Sequence, residues 1–201
     1  MGSFFKRTEE EKKESATTAW IVKAKSSQKE REVEYASTQL LGIIQKAHRE
    51  NRDIVFLCIG SDRYVGDSLG PLVGTMLVER GIPFEVYGTL EHPVHAFNLK
   101  EMIKDVNKRF IKPFIISIDA CLGEQSQVGD VIIKEGPLVP GQALAKVLPE
   151  IGDYHIKGMV NYVDPFPATQ FLNDTRLFTV MTIAKTIVDV IKTISQHKKE
   201  L

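Results

Sequence analysis

Two kinds of hydrophobic pattern alternate along the chain. Short apolar runs at residues 54–59 ("IVFLCI"), 84–87, 114–119 ("FIISID"), 131–134 and 155–162 are rich in β-branched and aromatic residues and predict strands. Between them, apolar residues return every three or four positions and predict helices over 28–51, 69–80, 96–109 and 175–196. In the first of these, Val33, Ala36, Leu40, Ile43, Ile44 and Ala47 form one stripe among charges. In the last, Leu177, Val180, Met181, Ala184, Ile187, Val188, Ile191 and Ile194 do the same behind an Asn-Asp pair suited to capping. Strands alternating with helices need crossover connections, so the pattern predicts an α/β protein: a three-layer α/β/α sandwich around a mostly parallel sheet. The edge strands of such an open sheet offer a route to a homo-oligomer.

Two segments fall outside the pattern. Residues 1–27 are dominated by Lys, Glu, Ser and Thr, with "FF" and Trp20 as isolated apolar residues, and predict a flexible charged arm ahead of one domain over 28–201. The stretch "GPLVPGQALAKVLPEIG", from Gly136, is broken by prolines and glycines and predicts a shaped loop.

Composition narrows the function. At 201 residues, 43% hydrophobic and 26% charged, the chain is of ordinary globular type. Its 26 Lys and Arg balance 26 Asp and Glu, which leaves no footprint for nucleic acid or an anionic membrane. Two cysteines are too few for a disulfide framework and fit a reducing, cytoplasmic setting. No apolar stretch approaches the length of a membrane span, and residues 1–20 have no signal-like apolar core. The surroundings of Cys121, "IDACLGEQ", are acidic, which disfavours a reactive thiolate.

The candidate chemistry lies in the loops after the strands, where open α/β sheets gather their functional groups. The loop "IGSDRYVGDSLGP" carries Asp62 and Asp67 where a phosphate-binding loop would carry lysine, and its glycines, Gly60, Gly66 and Gly70, miss the dinucleotide spacing. A phosphate cradle is therefore disfavoured. Asp67 and Ser68 are also good helix caps, but a carboxylate at a helix start is equally suited to act as a base. Asp119 ends "FIISID" beside a core, where an unpaired charge is costly, so it needs a partner. Should Asp67 and Asp119 meet across adjacent strand ends, mutual repulsion would raise one pKa and supply an acid and a base for activating water. Asp67, Asp119 and His92 or His95, from "EHPVHAF", form an alternative divalent-metal set, whereas the paired acids alone need no cofactor.

These motifs carry a resemblance. The whole chain resembles the YyaC family of sporulation proteins of spore-forming Firmicutes, described as spore proteases. More distantly, residues 53–141 resemble the spore germination protease, which degrades small acid-soluble spore proteins, and the hydrogenase maturation endopeptidases. All are associated with a phosphorylase/hydrolase-like α/β/α fold. "GDSLGP" matches a P-D-A-L-G-P motif of the germination protease at Asp67, and "IDAC" matches its I-D-A-L stretch at Asp119. The resemblance implies an endopeptidase using Asp67 and Asp119 on small spore proteins or a proprotein, in the forespore or spore core. Substrate contacts would come from Asp62, Gly66, Ser68, Gly136 and Gly141, with oxyanion donors from the amides near Ser68 or the "GPLVPG" loop. The basic end of the germination protease's glycine-rich stretch is missing here, and so is the histidine that completes the metal-recognising site of the maturation enzymes. A metal-dependent endopeptidase and a non-catalytic peptide-binding protein are the alternatives.

Overall fold

The structure is a computed structural model, and it describes residues 19–140, 149–162 and 174–196. Six strands form one sheet: β1 (Ala19–Lys23), β2 (Ile54–Cys58), β3 (Glu85–Tyr87), β4 (Phe114–Gly123), β5 (Asp130–Glu135) and β6 (Tyr154–Tyr162), in the spatial order β1-β5-β6-β4-β2-β3. The pairs β2–β3, β2–β4 and β4–β6 are parallel. The pairs β1–β5 and β5–β6 are antiparallel. The helices are α1 (Lys29–Arg49), α2 (Leu69–Glu79), α3 (Leu99–Arg109) and α4 (Leu177–Gln196).

Side-chain alternation on the central strands explains the three layers. In β2, Ile54, Phe56 and Cys58 join a core with Leu40 of α1, Val73 of α2 and Ile187 of α4. Val55 and Leu57, with Ile59 just beyond the strand, turn the other way toward Leu99 and Val106 of α3. A strand buried on both faces must read as a continuous apolar run, and "IVFLC" does. The predicted α/β/α sandwich is therefore present.

Three boundaries differ from expectation, each for a local reason. Ala19–Lys23, which composition places in a flexible arm, is strand β1, because Trp20 and Val22 alternate with exposed Ala19, Ile21 and Lys23 and pack inward while the backbone pairs with β5. Residues 1–18 lie outside the described residues. We expect Trp20→Ala to cost about 3 kcal/mol, measured by urea denaturation, whereas a ring in a truly mobile arm would cost nothing. Helix α3 starts at Leu99 instead of residue 96. Before it, the Asn98 side chain accepts a bond from the His95 N–H (2.8 Å) and donates to Pro93 O (2.9 Å), closing residues 93–98 into a turn that competes with the helix. Strand β4 does not stop at Asp119 but runs to Gly123, because β6 continues to pair with it as far as Tyr162.

Chain order places the candidate site. From β2 the chain crosses through α2 on one face to β3; from β3 it crosses through α3 on the other face to β4, on the opposite side of β2. The chain leaves the carboxyl end of β2 toward β3 and leaves that of β4 toward β5 and β6 on the other side, so the gap beyond the ends of β2 and β4 is the topological switch point where open α/β sheets leave a crevice. Asp67 follows β2, and Asp119 is the first residue of β4 beyond its last β2 partner, Ile118.

Candidate active site

The loop after β2 tightens into a single 3-10 turn, Gly66–Ser68, ahead of α2. The Asp67 N–H donates to Tyr64 O (3.1 Å), the Ser68 N–H to Val65 O (3.3 Å), and Asp67 O accepts from the Ser61 N–H (3.0 Å). Ser68 occupies the cap position of α2, but no side chain caps that helix; the Ser68 hydroxyl donates instead to Val65 O (2.7 Å). The carboxyl of Asp67 is thus not a helix cap. Burial raises its pKa, while a hydrogen bond from the Ser61 backbone and the charge of His95 oppose that rise.

Asp119 is held on the rigid central strand. Its Oδ1 accepts the N–H of Ala120 (2.8 Å). Burial, followed by repulsion from Asp67, pushes its pKa up to about 8, outweighing the Ala120 bond and the charge of Lys157. Of the two acids, Asp119 carries the larger shift, and the charge of Asp67 contributes to it. The site therefore holds two carboxyl groups that interact through charge and are shifted to different extents, the arrangement that paired-carboxylate chemistry requires.

Three more side chains surround this pair. His95 comes alongside because Val94 bridges Ile59 and accepts the Gly60 N–H (2.8 Å). His95 Nδ1 accepts the Phe97 N–H at 3.3 Å, which leaves Nε2 to carry the ring proton of the neutral form. Lys157 of β6 is the register partner of Asp119 and acts on both Asp119 and Cys121 through its charge. Cys121 is a half-buried thiol whose pKa is raised, mainly by burial, in keeping with an unreactive cysteine. Sequence reading missed Lys157. Its signal is one charged residue inside the apolar run "HIKGMV", in a strand with neighbours on both sides.

The other predicted residues fare differently. Asp62 is exposed on the same loop as Asp67, and Gly66 is buried within the turn. The Ser68 hydroxyl and amide both donate to Val65 O, which leaves its hydroxyl oxygen as an acceptor and its amide without a bond to spare for an oxyanion. Gly136 is not at the site. Strand β5 runs antiparallel to β6, so its end lies level with Asp153, roughly 13 Å along β6 from Lys157 at ~3.3 Å per residue. There Gly136 borders a separate cleft of about 340 Å³ with Arg52, Phe114 and Asp153. Gly141 lies outside the described residues. His92 is exposed, with Glu91 3.9 Å away, whereas His95, the other histidine of the alternative metal set with Asp67 and Asp119, stands near Asp67. Among the described residues, no group of three or more His, Cys, Asp or Glu side chains is placed to hold a metal ion. No described helix is long and apolar enough to cross a membrane.

The chain is 46% identical over 157 residues to the uncharacterized protein YyaC of Bacillus subtilis (strain 168), covering 77% of this chain and 76% of the relative. A solved structure similar in outline is the NiFe hydrogenase maturation protease HycI from Thermococcus kodakarensis KOD1, at 18% identity and a TM-score of 0.41, covering 70% of this chain and 92% of the other. Residues 24–190 match the family described as "Protein of unknown function (DUF1256)". The chain therefore belongs to the DUF1256 family, together with the B. subtilis protein.

Proposed function

We propose that the protein is a peptidase in which Asp67 and Asp119 activate water against an amide bond. The observation that carries this reading is the carboxyl of Asp119, pushed up to about 8 by burial and by the charge of Asp67. In the proposed step Asp67 takes a proton from water as the water oxygen bonds to the carbonyl carbon, and the C=O electron pair moves onto oxygen. Asp119 then protonates the amide nitrogen, the C–N bond breaks, and the proton on Asp67 passes on to restore both acids. This scheme draws on no cofactor. Exposed Asp62, on the same loop, is suited to meet a basic residue of the substrate. The resemblance of "GDSLGP" and "IDAC" to the germination protease supports a protein substrate of the sporulating cell, with small acid-soluble spore proteins as the first to try.

The test is mass spectrometry of those proteins, and of a peptide library covering a bacterial proteome, after incubation with the wild-type chain or with Asp67→Asn. We expect defined fragments from the wild type and at least a thousandfold fewer from the variant. Binding without fragments in either sample would replace the peptidase by a peptide-holding protein.

A further inference from the structure

We propose that Lys157 is a catalytic residue of this site, its ammonium holding the oxyanion that forms when water adds to the scissile carbonyl. The inference rests on the peptidase reading above and supplies a part which that reading lacks.

Placement comes from register and parity. Asp119 and Lys157 face each other across the parallel β4–β6 ladder, on strands about 4.8 Å apart. Their neighbours Ile118 and Ile156 both point into the core beneath α1, α2 and α4, so Asp119 and Lys157 both project from the opposite face. Lys157 is half-buried, and among the described residues its ammonium has no hydrogen bond or ion pair, Asp119 being nearest in register. A cation taken partly out of water without a partner is costly. A developing negative charge on substrate oxygen would be its partner.

The loop leaves that role open. The amides of Asp67 and Ser68 already donate to Tyr64 O and Val65 O, so neither is free to stabilise an oxyanion. A neutral Asp119 has a proton to give to the leaving nitrogen and is needed there. Among the described residues around the pair, Lys157 brings a positive charge from a central strand on the same face as Asp119, and that charge acts on Asp119. The oxyanion forms against the ammonium as the C–O bond is made, and that contact is released when the C=O bond re-forms and the C–N bond breaks.

The experiment uses the full chain and a fluorogenic peptide built on the sequence cut by the wild type. Lys157→Met should lower kcat about 100-fold with KM within twofold, the signature of charge stabilisation present only in the transition state. Lys157→Arg should recover at least tenfold of that loss. In the substrate-free protein, a carbon-13 titration of the Asp119 carboxyl should show its midpoint rising by about half a unit or more in Lys157→Met, because a neighbouring cation is removed. An unchanged kcat, a KM that rises with kcat held, or an unmoved Asp119 midpoint would each overturn the role of Lys157. A wild-type chain that cleaves nothing would instead refute the peptidase reading, and the catalytic role of Lys157 with it.

Discussion

Asp119→Asn is expected to lower kcat by three orders of magnitude or more and, in the same variant, to make the protein more stable at pH 8. The two effects have one cause. Burial and the charge of Asp67 raise the carboxyl of Asp119 to about pH 8 in the folded chain. In the unfolded chain it titrates near the usual value, about 4. Between those values the folded state keeps a proton that the unfolded state has lost, so stability falls as pH rises through this window. Below it both states are protonated and the penalty vanishes. Asparagine cannot ionise, so the variant should show a flatter stability profile and a gain that grows with pH. We expect a gain on the order of 2 kcal/mol at pH 8, well below the full linkage value because the residue is half-buried. Catalysis follows the same proton: kcat of the wild type should decline above about pH 8 as Asp119 loses it, and decline on the acid side as Asp67 gains one. Thermal melts and kcat, each taken across pH, check both halves. An Asn variant that is inactive but no more stable would mean that the carboxyl is not strained in the resting fold.

Much of this arrangement was legible in the residues. Runs such as "IVFLC" and "FIISI" can only be strands buried on two faces, and the stripe of α4 can only be a helix covering them, so the three layers follow from period alone. Asp67 and Asp119 stood out because one sits where a phosphate loop would carry lysine and the other interrupts the apolar run that begins "FIISI". Strand direction was not legible. Val131–Lys134 carries the same apolar code whether it runs up or down, and the antiparallel setting of β5 is what removes Gly136 from the site. Lys157 escaped because its meaning depends on register: nothing near it in sequence says that its neighbour across the ladder is an acid. Strand β1 escaped because its alternation is only five residues long and sits next to a charged tract that dominates the composition.

Gly70→Ala is expected to destabilise the fold by about 3–5 kcal/mol, lowering the melting temperature by roughly 10 °C. Gly70 lies in the first turn of α2, and a Cβ there would stand 2.0 Å from Ile59 O and 2.7 Å from Ile59 C and N. These are backbone atoms at the end of β2, held by the Ile59 N–H bond to Ile118 O (2.7 Å), so no side-chain rotation can relieve the clash. The helix has to move off the strand. That motion would draw the Gly66–Ser68 turn with it, opening the contact of Asp67 O with Gly60, where a Cβ would meet the same oxygen at 2.1 Å. Gly42→Ala in α1 is the control: nothing lies within 4 Å of its added Cβ, so it should stabilise the helix by about 1 kcal/mol. The glycines of "IGSDRYVGDSLGP" thus have a physical purpose that a phosphate loop does not explain. They let a helix start press against a strand end closely enough to set one carboxyl beside another. If Gly70→Ala melts with the wild type while Gly42→Ala behaves as expected, α2 does not approach β2 this closely, and the pairing of Asp67 with Asp119 loses its structural basis.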